Sequence, residues 1–148
     1  MTERQAVEVL DEPIGSNKET HMIDLAILII RLSLGIVMIF HGVYKFQNRP
    51  YLDKKWKEEY GFPIGSVVLN GVVQIVGGLA VILGVFGRYA TIVLLINMLV
   101  GLYVSIWKHK EPFLSTPRGK GWDFNVLLVG TLIALILLGD GAWSLYGI

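Results

Sequence analysis

The chain has 148 residues, 53% of them hydrophobic and only 17% charged, with a mean hydropathy of +0.58. That apolar excess rules out a disordered chain and is too great for a water-soluble domain of this length. Cysteine is absent, which excludes disulfides, cysteine-ligated metal or iron–sulfur centres and a thiol nucleophile, and a net charge of +1 makes no case for nucleic acid as a partner.

Residues 1–21 are polar and acidic, with Glu3, Glu8, Asp11, Glu12 and Glu19 against Arg4 and Lys18. They predict a tail rather than a signal peptide, because no cleavage-like site follows the first apolar run. The remainder, 22–148, predicts a single transmembrane domain. Its apolar runs cover 25–44, 67–86, 89–107 and 124–138. Each approaches the ~20 residues needed to cross a bilayer except the last, which Trp122 and Trp143 bracket as interfacial anchors. Spans are therefore expected at about 22–46, 65–86, 89–108 and 123–140. All five prolines fall outside them, and of the charged residues only Arg31 lies well inside one. The expected fold is an all-α membrane protein, an antiparallel bundle of four transmembrane helices. A β-barrel would need alternating polar residues, and none alternate.

Between the first two spans, Leu52, Trp56 and Tyr60 recur at four-residue spacing between Pro50 and Gly61, which predicts a short interfacial helix. Gly87-Arg88 reads as a tight connection joining the second and third spans as a hairpin. Lys and Arg concentrate in the first and third loops, at Arg49, Lys54, Lys55, Lys57, Lys108, Lys110, Arg118 and Lys120. Those loops are expected in the cytoplasm, with both termini outside.

Each span carries one polar or small-residue stripe. On the first, Arg31, Gly35, Met38, Gly42 and Lys45 share a face, with His41 alongside. The second repeats this with Asn70, Gln74, Gly77 and Gly84, flanked by Gly78; the third aligns Asn97, Gly101 and Ser105. Gly35, Gly42, Gly77, Gly78, Gly84 and Gly101 are expected at helix contacts, where small residues allow close approach. Measured at ~1.5 Å per residue from each span's middle, Arg31, Gln74 and Asn97 fall within about 5 Å of the midplane. No carboxylate shares that depth. The expected partners of Arg31 are therefore the amide oxygens of Gln74 and Asn97, water, a ligand or another subunit. Lys45 reads as an anchor reaching toward the headgroups. No metal-ligand, nucleotide-binding or nucleophile motif is present, so no metal and no intrinsic cofactor are expected.

Arg31-Leu32-Ser33-Leu34-Gly35, His41-Gly42-x-x-Lys45, Gln74-Ile75-Val76-Gly77-Gly78 with Gly84, Gly87-Arg88-Tyr89-Ala90 and Leu138-Gly139-Asp140-Gly141-x-x-Ser144-Leu145 resemble, in order and spacing, the DoxX family of small four-helix membrane proteins. The resemblance runs from about residue 25 to the end. The family often carries Glu where Gln74 stands and Pro where Asp140 stands. It implies a bacterial or archaeal plasma-membrane protein in a redox assembly, with the lipid bilayer and other membrane redox subunits as partners. The function expected on that basis is a membrane subunit of a quinone-linked oxidoreductase or respiratory complex. Arg31, His41, Gln74 and Asn97 are its candidate quinone-binding residues, and any catalysis would use a bound quinone or a partner's cofactor. The alternatives are a non-catalytic assembly subunit whose stripes dock neighbours, or a small transporter, which usually has broken helices.

Overall fold

A computed structural model describes residues 16–117 and 119–145. Residues 1–15 of the tail expected at 1–21, and Arg118 of the third loop, lie outside the described residues. What is described is helical apart from the connections, where Thr116 and Gly119 form an isolated bridge. In chain order the elements are α1 (Ser16–Gln47), α2 (Arg49–Lys55) running into a π-helical turn at Trp56–Tyr60, α3 (Ser66–Leu83), α4 (Gly87–Tyr103) running into a second π turn at Val104–Lys108, and α5 (Asp123–Leu138).

Three stretches are long and apolar enough to cross a membrane: 31 residues of α1, the 18 of α3, and the 22 from Gly87 to Lys108. The fourth, α5, has 16 residues, about 24 Å at ~1.5 Å per residue, against a hydrocarbon core of ~30 Å. Large apolar side chains point outward along all of them, among them Phe40, Leu69, Ile96 and Leu137. In water such a surface would drive aggregation, whereas lipid accepts it. The chain is a membrane protein.

The core is narrow and built mainly of Leu34, Met38, Val81, Leu94, Leu128, Leu132 and Leu135. Its tightest seam joins α1 to α3. A Cβ added at Gly78 would lie 2.8 Å from the Gly35 carbonyl oxygen, and one at Gly42 would lie 2.7 Å from that of Gly71. Backbone therefore meets backbone at two levels, and the two helices run in opposite senses. On its other side α3 meets α4, where Gly77 receives the Leu94 side chain. Gly101 and Gly130 instead have open space where a Cβ would stand.

Two boundaries differ from the sequence expectation. Helix α1 begins at Ser16 rather than near residue 22, and Glu19 in its first turn favours the positive end of the helix dipole. Gly87 and Arg88 are the opening residues of α4, not the turn. The chain reverses at 84–86, where Gly84 closes α3 with φ +65° and Phe86 precedes α4 with φ +49°. Two left-handed residues within three positions turn the chain without needing the glycine at 87.

Candidate functional site

The four residues expected to gather in one polar layer divide into two places. Arg31, only 1% exposed, lies at the C-terminal end of α3 and away from Gln74 and Asn97. Its guanidinium donates from Nε to the Val81 carbonyl (2.9 Å) and from Nη2 to that of Ile82 (2.8 Å). From Nη1 it donates to the carbonyls of Asp140 (2.8 Å) and Trp143 (3.2 Å) in the segment after α5. The last carbonyls of a helix lack intrahelical partners and carry the negative end of its dipole, so a cation there is stabilising. Arg31 thus joins α1, the end of α3 and the chain's closing segment. The amide oxygens of Gln74 and Asn97 are not its partners.

That segment is held twice more. The Ala142 N–H donates to Asp24 Oδ1 at 3.0 Å, and the Leu145 N–H donates to the Leu83 carbonyl at 3.0 Å. The buried guanidinium of Arg31 therefore closes one end of the helix assembly, with four of its five N–H donors on backbone carbonyls.

Gln74 and Asn97 face a different cation. Lys45 Nζ donates to Gln74 Oε1 at 2.6 Å, and Gln74 Nε2 donates to Asn97 Oδ1 at 3.2 Å. The relay joins α1, α3 and α4. The Gly35–Gly78 and Gly42–Gly71 contacts set a register that places Arg31 level with Ile82 and the stretch around Met38 level with Gln74. Lys45 bridges the remaining distance because helical side chains lean toward the N-terminus and lysine is long. Gln74 is fully buried, so its amide needs both partners.

This relay lies at the wall of a cavity of about 380 Å³, within the range of small-molecule sites. His41 joins it from α1, its ring stacked on Phe124 of α5 at 5.7 Å between centroids and 12° between planes. Asn70 comes from α3, one turn before Gln74, and its Oδ1 is buried without a hydrogen-bond partner. Ser105 and Asn125 add polar groups from the end of the third span and from α5, linked at 3.4 Å.

The loops supply the rest. The π turns at Trp56–Tyr60 and Val104–Lys108 pack together, and each inserts a residue that rotates the next ones out of α-helical phase. Tyr60 meets His109 edge to face, with 4.6 Å between ring centroids and 89° between planes. Glu59 Oε2 stands 3.5 Å from His109 Nε2. The Glu111 N–H donates to the Ser105 carbonyl at 3.0 Å, which brings the carboxylate to the cavity. Burial, reinforced by Glu59, Glu111 and Tyr51, pushes the Tyr60 phenol up to about 12, so it remains a neutral donor at physiological pH. Among the described residues, no three His, Asp or Glu side chains gather as a metal site.

Sequence alone does not bring Lys45, Asn70, Tyr60, His109 and Glu111 into the candidate site. Lys45 has a signal, its place one turn after His41 on the stripe of α1. Asn70 has one too, one turn before Gln74. The loop residues have none, because their approach depends on π geometry that spacing does not encode.

The family model that matches the chain is DoxX, over residues 26–107. The uncharacterized membrane protein Rv3486 of Mycobacterium tuberculosis is 32% identical over 130 residues, covering 81% of this chain and 78% of that protein. CatD of Bacillus subtilis, whose name marks it as a candidate oxidoreductase, is 26% identical over 117 residues, covering 79% of this chain and 81% of its own length. No solved structure matches the chain. The matched region contains most of α1, all of α3 and α4 and the Lys45–Gln74–Asn97 relay, and with Rv3486 similar over most of both lengths, the chain belongs to the DoxX family.

Proposed function

We propose that the chain is a membrane subunit of a quinone-linked oxidoreductase, holding a quinone headgroup in the cavity bounded by His41, Lys45, Gln74 and Asn97. In this reading α1, α3, α4 and α5 cross the plasma membrane of a bacterium or archaeon as an antiparallel bundle, and α2 rests at the interface. The basic loops face the cytoplasm.

The observation that carries the reading is the Lys45–Gln74–Asn97 relay beside an unpartnered Asn70 oxygen. An ammonium has three donors; two of those on Lys45 reach Gln74 Oε1 and, at 3.4 Å, the His41 carbonyl. The third suits a carbonyl oxygen. Asn70 Oδ1 is a buried acceptor suited to a hydroxyl, so the cavity offers something to both the oxidised and the reduced headgroup. A quinone supplies two-electron carriage between partners. The residues position and polarise it, while electrons come from another subunit. The name carried by CatD supports a redox association for a relative of similar length. Arg31, with four of its donors on backbone carbonyls and its side chain away from Gln74 and Asn97, is given no part in holding the headgroup in this reading.

The test is purification of the full chain in mild detergent, organic extraction, and titration with quinone while following tryptophan fluorescence. Trp56 lines the cavity and reports occupancy. Bound quinone and saturable quenching, both weakened at least about tenfold by Lys45→Met, are expected. An absence of extractable quinone together with no quenching overturns the reading.

One observation favours a second reading, an assembly subunit. Gly130 is exposed and leaves open space on α5 where another helix could approach closely. In that case Gly130→Leu releases the neighbouring subunits, while Lys45→Met leaves the turnover of the complex intact.

A further inference from the structure

We propose that a second, outer cavity between α1 and α2 binds the phosphate of an anionic phospholipid, whose polar headgroup enters the cavity while its acyl chains stay in the bilayer. This site goes beyond the quinone reading and does not depend on it.

The outer cavity measures about 780 Å³ and adjoins the inner one, with Lys45 and Glu111 on the wall they have in common. Its height follows from the helix register. Gly35 meets Gly78 and Gly42 meets Gly71, so α1 descends as α3 rises, and Gln47 comes about level with Ser66, the first residue of α3. Gln47 and Tyr44 line the cavity, which therefore stands at the end of two membrane-length helices, where headgroups lie. Phe40, one turn deeper than Tyr44, borders the cavity and is 70% exposed, so the mouth adjoins acyl chains.

The charges lining the cavity are unbalanced: Lys45, Lys55 and Lys120 stand against Glu111. None of the three ammoniums is fully neutralised. Lys45 is held by Gln74 Oε1 and the His41 carbonyl, both uncharged. Lys55 is 4.0 Å from Glu59 Oε2, but that carboxylate is half exposed and the same oxygen lies 3.5 Å from His109 Nε2, so the pair is weak. Lys120 forms no hydrogen bond or ion pair among the described residues, and it is near enough to Lys45 for the two charges to repel. A phosphodiester set among them relieves that repulsion and accepts from ammonium donors, as in other basic pockets at a membrane surface.

Glu111 bears on the rest of the headgroup. Its Oε2 is buried without a hydrogen-bond partner and so calls for a donor. A fully ionised phosphate has none, whereas the hydroxyls of a glycerol headgroup supply one. Phosphate for the lysines and hydroxyl for Glu111 together describe a lipid such as phosphatidylglycerol.

The test uses the full chain, purified in nonionic detergent, stripped of lipid and titrated with phosphatidylglycerol or phosphatidylethanolamine, with bound lipid counted by native mass spectrometry. Both lipids contain the phosphodiester and a donor, but only the first is net anionic. Phosphatidylglycerol is expected to bind at least about tenfold more tightly, and Lys55→Gln combined with Lys120→Gln to weaken it about tenfold or more. Lys120→Gln alone, at an exposed position, should cost about threefold or more, which keeps the test decisive should the double variant fold poorly. Lys54→Gln combined with Lys57→Gln removes two exposed charges that line neither cavity, and should change binding by less than about twofold. Equal binding of the two lipids, no loss on removing Lys55 and Lys120, or an equal loss on removing Lys54 and Lys57 overturns the site. Inorganic phosphate at about tenfold excess over the lipid should leave the lipid bound. Displacement would give the lysines to a free anion and overturn the lipid assignment.

Discussion

Lys45 spends its shortest hydrogen bond, 2.6 Å, on the neutral side chain of Gln74, and it makes no ion pair among the described residues. A cation held by an amide keeps more of its field available to a ligand than one neutralised by a carboxylate. The resemblance to a family that often has Glu here gives the arrangement a direct experimental handle.

Gln74→Leu is expected to destabilise the protein by about 1–3 kcal/mol, because the Lys45 ammonium loses its best acceptor and Asn97 Oδ1 its donor. Lys45→Met combined with Gln74→Leu should cost less than the two single changes together, since both partners go at once. Thermal unfolding in detergent followed by tryptophan fluorescence provides the four corners of the cycle. Simple additivity would show that the pair is not coupled.

Gln74→Glu is expected to retain the fold and form an ion pair with Lys45. Quinone affinity should then fall at neutral pH, since the carboxylate competes for the ammonium. Equal or tighter quinone binding by this variant contradicts the role assigned to Lys45.

Replacing Arg31 by Met should cost about 3 kcal/mol or more, because four carbonyl contacts to a charged donor disappear in a buried place. Hydrogen exchange should accelerate in residues 139–145, the segment that the guanidinium ties to α3. Quinone affinity of the folded fraction should remain unchanged. A large loss of affinity without faster exchange would return Arg31 to the ligand site.

Gly78→Ala places a methyl 2.8 Å from the Gly35 carbonyl oxygen, and Gly42→Ala places one 2.7 Å from that of Gly71. Neither backbone oxygen can rotate away, so each change should separate α1 from α3 and cost about 1–3 kcal/mol. Gly101→Ala meets nothing within 4 Å and should be neutral or stabilising by up to ~1 kcal/mol through helix propensity. Melting temperatures of the three variants, run side by side, check the ordering.

The Tyr60 phenol, with an ordinary value of 10.0 raised to about 12, binds its proton more tightly in the folded protein than in the unfolded chain. Its contribution to stability is complete below pH ~10 and is lost as pH rises through about 12. Phenolate absorbance, as the difference between the parent protein and Tyr60→Phe, should show one phenol ionising late. Ionisation near pH 10 would mean that Tyr60 is not shielded by the cavity and its neighbouring carboxylates.

How much was legible in the sequence depended on which physical constraint was at work. The length of the apolar runs marked α1, α3 and α4 to within a few residues, apart from the early start of α1, because a bilayer imposes a minimum span whatever the neighbours do. The 3.6-residue period put Lys45 on the stripe that contains Gly42, and Gln74 on the stripe that contains Gly77. Period assigns a face to each residue but no height against the next helix. Counting depth from the middle of each run therefore paired Arg31 with Gln74, whereas the backbone contacts of Gly35 and Gly42 with α3 set Arg31 opposite Ile82.

The sequence by itself determined the apolar helices, their polar stripes and the family, since each follows from composition and local spacing. Only the tertiary structure decided which cation reaches which oxygen. Arg31 took the helix end, where unpaired carbonyls collect; Lys45 took the amide relay, because its side chain is long enough to reach back along α1. Tyr60 and His109 came together for a similar reason: two π turns rotate loops that are distant in sequence onto a single cavity.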